Sequence, residues 1–229
     1  MATIKKPIII EPKEAHKFTI FLLHGLGDNG RSYLDVAQFL QKSFPNARFV
    51  LPTAPVIPVT LNMGMRMNAW YDIEKLSGEP DENPKYLEEI TTNLLQLVEK
   101  EANNFPENVE PKIVLAGFSQ GAAISFFSAM RRTNIKIECV VMMSGYLLKP
   151  KNVENDIRDV NKKTPIFMGH GTSDQVLLYD WSQQSYKQMI KLGFEIEYHT
   201  YTNMQHSISM IELADVREFL LKHLKAENN

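Results

Sequence analysis

Gly117-Phe118-Ser119-Gln120-Gly121 sets a serine between two glycines, each two residues away. A serine hydroxyl is a weak nucleophile at its ordinary pKa and needs an adjacent base to react. The G-x-S-x-G spacing supplies the right platform when a strand enters and a helix leaves. Such a sharp turn lifts Oγ clear of a sheet, and the new helix aims its free N–H groups at any anion forming there. Residues 112–118 read as a buried strand, and residues 121–130, with Ala122, Ala123 and Ser125, as the helix. A bare match to this pentapeptide arises by chance in roughly several per cent of chains of this length at a glycine usage of about 7%. The strand before it and the helix after it give the match its weight, and Ser119 is the candidate nucleophile.

On such an elbow the partners follow in the order Ser, then Asp or Glu, then His. The base is a histidine, which ordinarily titrates near about 6.5. Of the six histidines, His170, His199, His206 and His223 follow Ser119. His223 falls on the terminal helix, His199 inside an alternating strand with Glu197 and Tyr201, and His170 too early in the order. His206, in Asn203-Met204-Gln205-His206-Ser207, lies on the loop between the last strand and the last helix, and is the candidate base. For the acid, Asp174 closes Gly169-His170-Gly171-Thr172-Ser173-Asp174 directly after a strand. Asp180 and Asp215 fall in helices, and Asp156 and Asp159 in a charged excursion before that strand. An acid at Asp174 would hold the imidazole tautomer and stabilise the imidazolium without taking the proton itself.

An oxyanion hole needs two main-chain donors, one from the residue after the nucleophile and one from an earlier strand–helix loop. Gln120 N–H is the first. Leu26 N–H, in His24-Gly25-Leu26-Gly27-Asp28, is the candidate for the second. A glycine-rich turn that only reverses the chain is the other reading of that loop.

The elements that must position these groups alternate. Residues 18–24, 47–51, 112–118, 138–143, 165–168 and 194–201 read as strands. Residues 31–44, 86–100, 121–130, 179–192 and 208–224 read as helices. Strands alternating with helices predict an α/β fold with an open, mostly parallel sheet covered on both faces. No repeat or flexible linker divides the chain, so residues 1–229 read as one domain. Ligand sites in such sheets lie at the carboxyl ends of the strands. Residues 52–84 resist the scheme: they hold Pro52, Pro55, Pro58, Pro80 and Pro84 but many apolar side chains. A loop of that length in a compact domain is usually functional.

Composition closes off other classes. The 229 residues carry 25 Lys and Arg against 27 Asp and Glu, net −2, which gives no basic surface for nucleic acid. One cysteine, Cys139, builds neither a disulfide nor a thiolate metal cage, and within a strand it reads as an inert buried thiol. No run approaches the ~18 apolar residues of a membrane span. The expected compartment is cytoplasmic.

Taken together, His24-Gly-Leu-Gly-Asp28, Ala69-Trp70-Tyr71-Asp72, Gly117-Phe-Ser-Gln-Gly-Ala122, the Gly169-to-Asp174 loop and Met204-Gln205-His206-Ser207 resemble the acyl-protein thioesterase/lysophospholipase-like carboxylesterase family of α/β-hydrolases. The resemblance runs from about Ile20 to the terminal helix. It implies a single-domain α/β-hydrolase fold, a Ser119–Asp174–His206 triad, oxyanion donors at Leu26 and Gln120, no cofactor and no metal. It also implies acyl ester or thioester substrates (small esters, lysophospholipids or acylated proteins) and a homodimer in many members. One departure stands out: Gln175 occupies the position after the acid where the family usually has proline, while Val176-Leu177 keep the apolar pair that follows, so the acid position survives without the residue that would stiffen its turn.

The apolar 52–84 loop is expected near the active site, with Met65, Trp70 and Tyr71 lining an acyl groove or meeting a membrane surface. The plainer reading is that these side chains complete the core beneath a long loop. The leading function is serine-dependent hydrolysis through an acyl-enzyme. A catalytically silent binding module for acyl chains or proteins, using the Met-rich loop, is the alternative, and an intact Ser–Asp–His order counts against it.

Overall fold

The computed structural model describes residues 3–76, 84–151 and 153–224. Its centre is a seven-stranded sheet in the order β1-β3-β2-β6-β7-β8-β9. The strands are β1 (Lys5–Ile10), β2 (Phe18–Leu23), β3 (Ala47–Thr53), β6 (Ile113–Phe118), β7 (Ile137–Met143), β8 (Ile166–Gly171) and β9 (Ile196–Tyr201). β1 pairs antiparallel with β3, and every other pairing in this sheet is parallel. The helices are α1 (Leu34–Gln41), α2 (Leu87–Ala102), α3 (Gln120–Arg131), α4 (Tyr179–Lys191) and α5 (Met210–Leu224).

The period of two along each strand divides the core between the sheet's faces. Ile20 and Leu22 of β2 join Val114, Ala116 and Val141 under α1 and α5. Phe21 and Leu23 turn the other way and join Leu115, Val140 and Met142 under α2, α3 and α4. Every residue of β2 is buried, as a central parallel strand covered on both sides requires. Cys139 lies in this interior, fully buried, and burial pushes its thiol pKa up, which keeps it unreactive.

Two regions differ from the alternating pattern. β1 is an added edge strand, invisible as a period because Ile8, Ile9 and Ile10 run without alternation and a register shift lies between Lys5 and Ile8. Pro7 falls within that shift, where a missing N–H is tolerated. Within 52–84, the described residues form a hairpin of β4 (Val56–Val59) and β5 (Met65–Asn68). Met63 and Gly64 both take left-handed conformations at its tip, while Ile57 and Val59 point inward. Residues 77–83, the remainder of that expected loop, lie outside the described residues.

The register decides where chemistry can occur. Leu23 of β2 pairs with Gly117 of β6, Met143 of β7 with Gly169 of β8, and Gly171 of β8 with Tyr201 of β9. The loops carrying His24, Ser119, Asp174 and His206 therefore all leave the carboxyl end of the parallel strands.

Candidate active site

Ser119 stands between β6 and α3 at φ 54°, ψ −119°. A non-glycine residue held in so sparsely populated a region costs about 1–3 kcal/mol. Close packing enforces it. A Cβ at Gly117 would collide with the Gly121 backbone, and one at Gly121 with the carbonyls of Leu23 and His24. Ser119 also donates its N–H to Met143 O at 2.9 Å, which ties the elbow to the next strand.

His206 Nε2 lies 3.0 Å from Ser119 Oγ, and His206 Nδ1 lies 2.7 Å from Asp174 Oδ2. An ionised carboxylate only accepts, so Nδ1 carries the proton and Nε2 is left to accept from the serine hydroxyl. The other carboxylate oxygen, Asp174 Oδ1, accepts N–H bonds from Val176 and Leu177, both at 2.9 Å. Burial disfavours charge on Asp174, yet the bonds from His206, Leu177 and Val176 together outweigh it and hold its pKa below the ordinary carboxylate value. His206 packs against the Phe118 ring, centroids 4.7 Å apart. Two main-chain bonds, Ser173 N–H to Met204 O at 3.0 Å and Thr172 N–H to Tyr201 O at 2.9 Å, fasten the acid loop to the histidine loop.

The His24-to-Asp28 loop sits beside the elbow: a Cβ on Gly25 would lie 3.5 Å from Ser119 Cβ. Within the loop, Gly27 N–H is donated to Asn68 O and Asp28 N–H to Gly25 O. Leu26 immediately precedes those two committed donors. Gln120 N–H is in the first turn of α3, where no intrahelical acceptor exists. The other histidines have different engagements. His199 bonds Glu197 at 3.0 Å and stacks on Phe167, and His223 packs against Phe219. Asp180 is exposed on α4, and Asp215 accepts from Tyr201 Oη at 2.9 Å.

The three residues expected along an acyl groove are placed differently from one another. Met65 is exposed on the hairpin, whereas Trp70 and Tyr71 are fully buried. The Tyr71 hydroxyl bonds the Tyr146 hydroxyl at 2.6 Å, and Trp70 Nε1–H donates to His24 O at 2.8 Å. Sequence reasoning passed over two further polar groups near the site. His170, fully buried, donates Nε2–H to Leu177 O at 2.8 Å and lies 3.4 Å from Asp174 Oδ2. Glu212, also fully buried, sets its carboxyl against Gly169. The available signal for Glu212 was Ser209-x-x-Glu212 at the start of α5, a capping-box spacing; Ser209 Oγ does accept Glu212 N–H, at 3.1 Å. Among the described residues no group of three or more His, Cys, Asp or Glu side chains is arranged to hold a metal ion.

The arrangement has counterparts. Residues 4–224 match the model of the phospholipase/carboxylesterase family. The acyl-protein thioesterase 1 of Cryptococcus neoformans is 37% identical, with 98% of this chain and all of the relative covered. The acyl-protein thioesterase 1 homolog 1 of Dictyostelium discoideum is 33% identical over 96% of this chain and 97% of its own. Among solved structures, Zea mays acyl-protein thioesterase 2 superposes with a TM-score of 0.79 at 28% identity, covering 95% of this chain and 98% of that one. A match across the sheet, the elbow and the loops at its edge settles the kinship: this chain belongs to the phospholipase/carboxylesterase family of α/β-hydrolases and is a serine hydrolase of acyl esters.

Proposed function

We propose that Ser119, His206 and Asp174 form the catalytic triad of one α/β-hydrolase domain, residues 1–229, that cleaves acyl esters and thioesters, including those of acylated proteins and lysophospholipids. The observation that carries this reading is the unbroken chain Ser119 Oγ, His206 Nε2, His206 Nδ1, Asp174 Oδ2, at 3.0 and 2.7 Å, on a serine held at positive φ. Ser119 Oγ attacks the carbonyl carbon as His206 Nε2 takes the hydroxyl proton. Leu26 and Gln120 N–H groups receive the oxyanion. Collapse breaks the bond to the alcohol or thiol, which leaves with the proton from His206. Water, deprotonated by the same nitrogen, then attacks the acyl-serine and releases the acid.

The surface favours an acyl substrate. Met63 and Met65 on the hairpin, Val176 and Leu178 just beyond Asp174, and Met210 and Ile211 just beyond His206 are all exposed. The hairpin reaches the oxyanion loop: a Cβ at Gly27 would lie 3.8 Å from Met67 Sδ. Exposed apolar side chains that flank the proposed catalytic groups in the chain, or lie on a hairpin that touches the oxyanion loop, suit a surface for apolar ligands. This surface, with the described part of the 52–84 segment, residues 52–76, at its rim, is proposed to receive acyl chains at a membrane face. The unpaired, buried Cys139 and near-neutral charge suit a cytoplasmic enzyme, and a homodimer is proposed from the resemblance alone.

A fluorophosphonate probe tests the triad. Wild-type protein is expected to label covalently, and Ser119→Ala neither to label nor to hydrolyse esters, with a loss on the order of 10⁶-fold. Equal labelling of both proteins would remove Ser119 from the reaction, and no labelling of wild type would favour the silent binding module. Rates on a series of acyl lengths test the apolar rim: Met65→Asp is expected to flatten the preference for longer chains.

A further inference from the structure

Both oxyanion donors are attached to one buried hydrogen-bond network that runs through Trp70. At one end is the Gln120 side chain, 1% exposed. Its Oε1 accepts the Trp70 main-chain N–H at 2.8 Å and its Nε2–H donates to Tyr71 O at 2.8 Å. From the same tryptophan, the indole N–H reaches His24 O at 2.8 Å. His24 Nε2 accepts Ala54 N–H at 3.0 Å, so the ring proton is on Nδ1, which donates to Gly25 O at 2.7 Å. Burial lowers the His24 pKa and keeps the ring in this neutral, one-proton form.

The peptide bond converts these contacts into a direction. Gly25 C=O and Leu26 N–H belong to one planar trans unit, in which carbonyl and N–H point opposite ways. With Gly25 O held by His24, Leu26 N–H is aimed to the other side, and a flip of the plane would strand a buried imidazole donor. Such a loss costs about 1–3 kcal/mol. The preceding carbonyl, His24 O, is held in turn by Trp70. At the far end of the loop, Gly27 N–H and Asp28 O are tied to Asn68, by bonds of 2.8 and 2.7 Å.

We infer that Trp70 is a positioning residue for the oxyanion hole: its indole N–H and main chain couple the loop bearing Leu26 N–H to the residue bearing Gln120 N–H, so that the two donors are set as a unit. The inference rests on the triad and oxyanion reading above and replaces the expectation of Trp70 as a wall of the acyl groove. The indole points at a main-chain carbonyl, and its ring, 5.1 Å centroid to centroid from His24, has no exposed surface to offer a substrate.

Trp70→Phe retains an aromatic ring and removes the N–H. Gln120→Leu keeps the main-chain donor and removes the side-chain bonds. Each is expected to lower kcat by about 10–100-fold, less than the 10²–10³ for loss of a donor outright, with KM within about twofold. Inhibition by a trifluoromethyl ketone, whose serine-bound hemiketal presents an oxyanion, is expected to weaken in parallel with kcat/KM. The product alcohol, which has no acyl oxygen to place in the hole, is expected to bind unchanged. Because the two side chains act in series, the double variant is expected to be little worse than either single one. The melting temperature of each protein is recorded, and Gln120→Leu carries the test if Trp70→Phe does not fold. Wild-type kcat in the folded variants, or a loss confined to KM with a flattened acyl-length profile, overturns the inference. Ser119→Ala in the same assay separates the two readings. A dead Ser119→Ala beside a fully active Trp70→Phe refutes only the positioning role, whereas an active Ser119→Ala refutes the triad.

Discussion

The two sides of the active site treat buried polar groups in opposite ways. On the side of the proposed oxyanion hole His24, Trp70 and Gln120 are interior, and each side-chain donor and acceptor in the network has a partner at 2.7–3.0 Å. On the acid side, around Gly169, His170 Nδ1, both Glu212 carboxyl oxygens and Ser144 Oγ are buried without a hydrogen-bond partner among the described residues. Transition-state charge explains the contrast. An oxyanion hole works by being aligned before charge develops, so any freedom in its donors costs rate. The duty proposed for Asp174 is to hold one imidazole, and it has its own bonds to His206, Val176 and Leu177 for that. The polar groups behind it are free to be energetically costly without misaligning the triad.

The comparison breaks most visibly at Asp174. Asp174→Asn preserves shape but offers the amide NH₂ toward Nδ1 in one orientation and loses the charge that stabilises an imidazolium. A fall in kcat of about 10⁴-fold is expected, by analogy with the same change in chymotrypsin-type triads, with the melting temperature measured alongside. A fall under tenfold would mean that another carboxylate serves His206.

Glu212 is the next largest effect, and it is one of stability. Burial raises its carboxyl pKa from the ordinary 4.5 to about 8 in the folded protein. The native state then binds more protons than the unfolded chain between those values, so stability falls as pH rises through that window, by up to about 1.4 kcal/mol per unit. Below about pH 4.5 the carboxyl is neutral in both states and the cost vanishes. Glu212→Gln abolishes this slope. Its denaturation midpoint is expected to match wild type near pH 5 and to exceed it by a few kcal/mol equivalent near pH 8. Parallel curves for the two proteins across that range would show that Glu212 ionises normally in the fold.

What could be read in the sequence follows from how local each signal is. The elbow was legible because its strand, its glycines and its helix are contiguous, and the core packing there allows only glycine at Gly117 and Gly121. Asp174 and His206 were reachable by elimination because chain order leaves few candidates at strand ends. The hairpin at Val56–Val59 and Met65–Asn68 was not, because Pro58 and a two-residue inward pattern are too short to show a period. Trp70 carried two readings, groove wall and core, for a related reason: an aromatic among methionines suits either, and only the distant pairing with His24 and Gln120 reveals where its N–H goes. Glu212 and His170 gave no signal of burial, since a charged residue in a first helical turn and a histidine at a strand end are ordinarily solvated.

His170 marks the point where the two sides resemble each other, and it sharpens the contrast with the smallest effect. Gln175 leaves the turn after Asp174 without the fixed φ that proline would supply. The structure closes that turn with side chains. Asp174 Oδ1 accepts the N–H groups of Val176 and Leu177, and His170 Nε2–H donates to Leu177 O at 2.8 Å. A carbonyl only accepts, so His170 is protonated on Nε2, and burial lowers its pKa and keeps the ring neutral. Asp174, His206 and Tyr179 are the groups facing it. His170→Leu removes one neutral hydrogen bond, worth about 1 kcal/mol, while the two bonds to Oδ1 remain. A loss of about fivefold in kcat with unchanged KM is therefore expected, against the 10–100-fold at Trp70. His170→Gln, whose amide nitrogen reaches about where Nε2 lies, is expected to restore most of it. If Gln rescues nothing, the ring acts by bulk and not by its donor. If Leu costs as much as Trp70→Phe, the acid turn depends on this bond as heavily as the oxyanion loop depends on its own, and the asymmetry between the two sides disappears.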